Sequence, residues 1–227
     1  MDSLRPHNQL CERLGYQFND LDNLKLALTH RSASSQHNER LEFLGDAVLG
    51  MIVAKILYDR FPSVSEGKLT RMRSSLVKGE TLAEIAKQFD FSEVLQLGAG
   101  ELKSGGFTNA SILADAFEAM LGAIYLEAGL ETCAKLISVW FAQRLDKLDP
   151  DLHPKDNKTQ LQEYLQGKQL PLPEYDVVDI QGKAHAQTFH VTCTVQGLEI
   201  PMKAIGRSRR KAEQEAARLT LVELLNA

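Results

Sequence analysis

Apolar residues recur at helical spacing through the first two-thirds of the chain. Segments 22–28, 40–58, 66–78, 80–89, 111–128 and 131–148 contain no proline, and most place apolar residues three and four apart. That period predicts a helix for each. Breakers separate them at Phe61-Pro62-Ser63, Gly98-Ala99-Gly100, Ser104-Gly105-Gly106 and Gly129. No segment before residue 150 alternates convincingly with period two. Residues 149–157 carry prolines and charges without apolar periodicity, as a linker does. Beyond them the pattern changes. A short helix is predicted over 159–166, strands over 175–180, 188–195 and 198–205, and a long helix over 208–225. In the middle strand Phe189, Val191, Cys193 and Val195 share one face, with Thr188, His190, Thr192 and Thr194 on the other. The expected architecture is multidomain: an all-α domain over 1–148, a linker over 149–157, and a small α+β unit of order α-β-β-β-α over 158–227. Both of its helices should lie on one face of an antiparallel sheet.

Two of the predicted helices carry acids where apolar residues should dominate. Glu39, Glu42 and Asp46 fall at i, i+3 and i+7. At roughly 100° per residue they lie within about 60° of one another and form one stripe. Leu41, Leu44, Val48 and Met51 form another on roughly the opposite side, and the acidic stripe itself turns apolar further on, at Leu49, Gly50 and Val53. A helix apolar nearly all round is expected to be buried. Between Ala110 and Leu126 the only charges are Asp115 and Glu118, again on one face. Closely spaced acids on two greasy helices are expected to face each other, and like charges so placed need a counter-ion. Arg31 or Arg40 could pair with a single acid. Five acids together fit a metal better, and with no histidine or cysteine among them the donor set is all oxygen. That suits magnesium or manganese rather than zinc, ions fitted to displacement at a phosphodiester.

Charge changes the picture of the second half. The net charge of −4 argues by itself against a nucleic-acid partner. Residues 1–154, however, hold 16 Lys+Arg against 21 Asp+Glu, while residues 155–227 hold 10 against 9. Five of those ten basic residues fall between Lys203 and Lys211. Arg207, Arg209, Arg210 and Lys211 flank the start of the last predicted helix, with Ser208 as its N-cap. Cations beside the free N–H groups of a helix start make a phosphate clamp. Glu213 and Glu215 dilute it. Ala212, Ala216, Leu219 and Val222 are expected to face the sheet. Thr159, Gln160, Gln162, Glu163 and Gln166 on the first helix suit 2′-hydroxyls and minor-groove edges, and the turn at Gly182–His185 offers His185. Such a layout reads an A-form duplex by shape. It offers no aromatic platform for single strands.

The remaining signals exclude more than they add. No apolar run is long enough to span a membrane, and the N-terminus has no secretory core. Cys11, Cys133 and Cys193 have no metal-ligand spacing and read as reduced, buried side chains of a cytoplasmic protein. Gly98-Ala99-Gly100-Glu101 lacks the ending of a phosphate loop. His30 and His37 are not spaced with a nucleophile. Arg71 and Arg73 read as a solvated helix face or a backbone contact, and Trp140 as core or subunit interface.

The run NERLEFLGDAVLG at Asn38–Gly50 closely resembles the signature of bacterial ribonuclease III. LTHRS at Leu28–Ser32, EGKLTRMRSSLV at Glu66–Val77, GAGELKSGG at Gly98–Gly106 and SILADAFEAMLGAIYL at Ser111–Leu126 are similar to further stretches of that family, in order. The C-terminal unit resembles its double-stranded RNA-binding domain. The resemblance implies a metal-dependent endoribonuclease that hydrolyses double-stranded RNA. Ribosomal RNA precursors, messenger RNA processing and decay are its expected context. By position, Glu42, Asp46, Asp115 and Glu118 match the family's metal-binding carboxylates and Glu39 an acid beside the cleft. Glu66 and Glu101 match acids near the dimer interface or substrate. A homodimer is implied, with Mg2+ as cofactor, Mn2+ able to substitute, and neither membrane nor organic cofactor. The alternative from a different class is a non-catalytic duplex-binding protein with the helical domain kept as a dimer scaffold. Lost carboxylates would mark it, and none is lost.

Overall fold

The computed structural model describes residues 5–152, 155–183 and 187–226. The chain forms two compact units, Met1–His153 and Pro154–Ala227. The first is helical: α1 (Arg5–Leu14), α2 (Leu21–Ala27), α3 (Glu39–Arg60), α4 (Glu66–Val77), α5 (Gly79–Gln88), α6 (Ala99–Lys103), α7 (Ala110–Trp140) and α8 (Ala142–Asp146). Two helices went unpredicted. Only Leu10, Cys11 and Leu14 of α1 are buried in a polar segment, and five-residue α6 lies among glycines. Gly129, non-helical at φ 75° and ψ −179°, breaks α7 into two helices where the sequence predicts the break, with no loop between them. The second stops at Trp140, short of 148.

Helices α3 and α7 form the centre of this unit. From α7 the core takes Leu113, Ala116, Phe117, Met120, Leu121 and Ile124; from α3 it takes Leu41, Val48, Leu49, Ile52, Val53 and Leu57. Each large side chain removed from water contributes roughly 1.5–3 kcal/mol. Trp140 belongs to the core, packed on Phe117 and Phe89 with its indole N–H donating to the Leu14 carbonyl at 3.0 Å. The expectation that α3 is buried all round fails. Phe43 is 81% exposed, and Met51 and Tyr58 are also open. An apolar third face is therefore free on this helix.

The second unit runs α9 (Asn157–Gly167), β1 (Glu174–Gln181), β2 (Thr188–Thr194), β3 (Met202–Gly206) and α10 (Arg209–Asn226), with an antiparallel sheet ordered β1-β2-β3. Val191 and Cys193 of β2 meet Leu161 and Leu165 of α9 and Ala212, Ala216 and Ala217 of α10. Strand β3 starts later than predicted, because Pro201 cannot donate to the ladder and Gly197 turns the chain at φ 109°. Helix α10 also sits rotated from expectation. Ala212, Glu213, Ala216, Ala217 and Thr220 are buried, whereas Val222 is exposed and Leu219 only half-buried.

Candidate metal centre and nucleic-acid interface

The cleft is built at the start of two helices. Asn38, 2% exposed, donates its N–H to the Thr29 carbonyl and its side-chain amide to the Ala27 carbonyl, and its own carbonyl takes the Glu42 N–H at 2.9 Å. These bonds set where α3 begins and so where Glu42 points. Asn109 caps α7 by accepting the Ser111 N–H. About two turns into α3 and three into α7, Gly45 and Gly122 bring the backbones together. A Cβ on Gly45 would lie 1.8 Å from the Glu118 carbonyl oxygen, and one on Gly122 2.2 Å from that of Leu41.

That approach gathers the acids. Carboxylate oxygens of Glu42, Asp115 and Glu118 lie within 4.8 Å of one another, all three residues half-buried. Burial pushes the Glu118 carboxyl up to about 8, helped by the charges of Asp46, then Glu42 and Asp115. Glu42 is raised by burial and by Asp115 and Glu39, with Arg31 opposing. Asp115 is raised by burial against the pull of His30, Ser111 and Arg31. Asp46 stands exposed beside the trio and outside that 4.8 Å group. Glu39 lies on the cleft wall and pairs with Arg31 at 3.1 Å, with His37 Nδ1 at 3.8 Å. The ion-pair account therefore covers Glu39. Among the described residues no cation pairs with Glu42, Asp115 or Glu118. Three carboxylates that lack an ion-pair partner among the described residues and offer only oxygen donors fit a hard divalent cation.

The cleft encloses about 410 Å3 and is lined by Glu39, Glu42, Glu101 and Asp115 together with His30, Arg31, Asn38, Asn109 and Ser111. Glu101 thus reaches it from α6. Glu66 does not line it; at the start of α4 it accepts from Thr70 Oγ1 at 2.8 Å. Sequence reasoning passed over His30, Asn109 and Ser111 and saw Arg31 only as a counter-ion. The segment around His30 is irregular, and no period points to it.

In the second unit the candidate contacts separate into free and committed side chains. Thr159 is held by the capping Asp156, Gln160 by the Lys155 carbonyl, and Glu163 by an ion pair with Lys155. Gln162 is exposed on α9. His185 lies outside the described residues. Arg209 is committed to Glu213 at 2.7 Å, and Lys158 reaches the same carboxylate at 2.8 Å. Glu213, 8% exposed, is therefore an internal counter-ion joining α9 to α10 rather than a diluting surface charge. Burial favours its neutral form, but the hydrogen bonds and charges of Lys158 and Arg209 outweigh that and hold it below the usual range. Arg210 and Lys211 stand exposed beside the α10 start, where the Lys211 N–H bonds Ser208 Oγ.

Comparison with known proteins extends this picture. Residues 20–145 match the Ribonuclease-III-like family and residues 157–224 the double-stranded RNA binding motif. Ribonuclease 3 of Shewanella amazonensis is 54% identical over 226 residues, covering all of both chains, and that of Vibrio cholerae 53% identical over 97% of this chain and 98% of its own. The crystal structure of the Campylobacter jejuni ribonuclease III nuclease domain is 37% identical, with a TM-score of 0.61 over 66% of this chain and all of its own. A second structure of that domain, 39% identical with a TM-score of 0.60 over 61% of this chain and 97% of its own, is described by the flexibility of a region involved in dimer formation. With family matches over both units and such relatives over its full length, the chain belongs to the ribonuclease III family of endoribonucleases that act on double-stranded RNA.

Proposed function

We propose that this chain hydrolyses backbone phosphodiesters of double-stranded RNA with Mg2+ held by Glu42, Asp46, Asp115 and Glu118. The observation that carries the reading is the cluster of Glu42, Asp115 and Glu118, gathered within 4.8 Å with no ion-pair partner among the described residues. Bound there, a divalent ion supplies Lewis acidity to a phosphate oxygen and activates water. The side chains do the rest. Asp46 adds a fourth, exposed charge, and Glu39 with its partner Arg31 lines the cleft together with Glu101. Residues 1–148 serve as the catalytic and dimerisation domain, 149–157 as the linker and 158–227 as the duplex-binding domain. Ribosomal RNA precursors and messenger RNA in the cytoplasm are the proposed targets. No helix among the described residues is long and apolar enough to cross a membrane.

The free face of α3 supports a homodimer. Phe43 projects beside a groove lined by Leu26, His37, Leu41, Leu44 and Leu126. A protruding ring next to an apolar groove is self-complementary under a two-fold axis. Such a dimer would present two carboxylate clefts, one for each strand.

A long perfect RNA duplex tests the reading directly. We expect cutting with Mg2+ or Mn2+, none with chelator, and little on single-stranded RNA or DNA duplex. Retention without cutting under any divalent metal would leave only a duplex-binding scaffold.

Binding has its own test. Arg210→Ala with Lys211→Ala should weaken duplex retention about tenfold or more at moderate salt and lower the salt slope by about one per cation removed. Arg209→Ala should instead lower the melting temperature, since Arg209 neutralises the buried Glu213. Equal effects of all three on the salt slope would contradict that division.

A further inference from the structure

The carboxylate cleft has a chemical difficulty that a metal alone does not remove. A strand of RNA brings a phosphate every nucleotide, and the cleft already shows it Glu39, Glu42, Glu101 and Asp115. Among the described residues, the only cationic or imidazole side chains on its lining are His30 and Arg31. Of the other polar side chains there, the Asn38 amide donates to the Ala27 carbonyl and the Ser111 hydroxyl serves Asp115, while Asn109 caps α7 through its amide oxygen and keeps only an uncharged N–H2 to offer.

His30 is held unusually well for a residue outside any helix or strand. Its N–H donates to the Gln96 carbonyl at 3.0 Å, and Gln96 in turn donates to the Leu28 carbonyl. Its ring nitrogen Nδ1 takes the Ser32 backbone N–H at 3.2 Å and lies 2.8 Å from Ser32 Oγ. That hydroxyl oxygen accepts the Gly98 N–H at 2.9 Å, so the hydroxyl proton is available to Nδ1. Position 98 must be glycine for this, since a Cβ there would stand 2.2 Å from the Ser32 carbonyl. A backbone N–H can only donate, so Nδ1 is the acceptor and the proton of the neutral ring is on Nε2. Nε2–H has no hydrogen-bond partner among the described residues. It is a donor fixed in place on the cleft wall and left open.

We propose that His30 Nε2–H, with the part of the Arg31 guanidinium not engaged by Glu39, forms a phosphate site that seats an RNA backbone phosphodiester beside the carboxylate cluster. The donor exists in the neutral ring, so the site does not depend on histidine titration. Arg31 provides the charge and His30 the fixed direction. This rests on the duplex-hydrolysis reading above and adds a substrate-positioning residue to it.

The test compares His30→Ala with His30→Gln in the full chain. Both lose the bond from the Ser32 N–H to the ring, and so share any damage to the loop. Only Gln keeps a side-chain N–H near the Nε2 position. At saturating protein and Mg2+, we expect His30→Ala to slow single-turnover cleavage about 10- to 100-fold, the effect of one hydrogen bond to a charged group. His30→Gln should recover most of that rate. Calorimetric Mn2+ affinity and gel-shift retention of the duplex should match wild type in both variants. Gln as slow as Ala would reduce His30 to a loop support, and a parallel fall in Mn2+ affinity would assign it to the metal; either overturns the proposal. So would full activity in His30→Ala. A wild-type protein that fails to cut overturns this proposal together with the reading beneath it, whereas a cutting wild type with an unimpaired Ala variant overturns the phosphate site alone.

Discussion

Glu118→Gln is expected to abolish cutting while making the metal-free protein more stable. The two effects have one cause. Glu118 is the member of the cluster pushed furthest, to about 8, by burial and by Asp46, Glu42 and Asp115. With its folded value above the ordinary carboxylate value of about 4.3, the folded state holds a proton that the unfolded chain has released. The associated stability is fully present below the ordinary value and is lost as pH rises through 8. Metal-free wild type should therefore melt progressively lower between about pH 4.5 and 8. The isosteric amide removes the charge, so the variant should melt higher than wild type at pH 8 and depend less on pH. Glu42 and Asp115, also raised, would keep part of the slope.

Adding a divalent ion should reverse the order. Wild type gains stability by mass action as the ion replaces the proton, and the variant gains less because a strong ligand is gone. Cleavage should fall about a thousandfold or more, equivalent to roughly 4 kcal/mol at the transition state. Duplex retention in a gel-shift should be nearly unchanged, because Arg210 and Lys211 belong to the other unit. Melting curves across this pH range, with and without Mg2+, are the measurement. A variant that melts lower than wild type in chelator would make Glu118 a structural residue and remove the argument.

What could be read from sequence follows from what periodicity can see. Asp115 and Glu118 stood out because their neighbours from Ala110 to Leu126 carry no other charge, and the structure gathers them with Glu42. Phe43 and Met51 misled for the converse reason. An apolar residue left open for a partner has the same letter as one in the core, so α3 read as buried all round. Glu213 was taken for a diluting charge because one of its partners, Lys158, lies 55 residues away. Its pairing with Arg209 at i,i+4 was within reach of helical spacing and was passed over. His30 and Arg31 sit in an irregular segment, and only the packing of residues 28–38 against 96–98 brings them to the cleft wall. Local pattern found the chemistry on helices; chemistry supplied by long-range contact needed the structure.

Gly45→Ala should have the largest effect on folding of any single methyl added to α3. In an ordinary helix interior alanine is favoured over glycine by about 1 kcal/mol, so propensity alone predicts a more stable protein. Packing opposes it and wins. The new Cβ would stand 1.8 Å from the Glu118 carbonyl oxygen and 2.6 Å from its carbon, and both belong to backbone that cannot swing aside. Helices α3 and α7 would have to separate by an ångström or more along the line that carries the core. Overpacking of this kind costs about 1–3 kcal/mol and occasionally more. With backbone on the far side, the upper end or beyond is expected, a loss in melting temperature of about 5–10 °C. The same separation would pull Glu42 and Asp46, which flank Gly45, away from Glu118. Divalent-ion affinity and cleavage should therefore fall further than the stability loss alone accounts for, even below the melting transition. Gly67→Ala on α4 is the control, since its added carbon meets only the tip of Arg71 at an ordinary 3.5 Å, and it should melt like wild type or slightly higher. A Gly45→Ala protein that melts with the control and binds Mn2+ normally would mean that the two helices do not meet backbone to backbone. The carboxylates would then need some other means of being brought together.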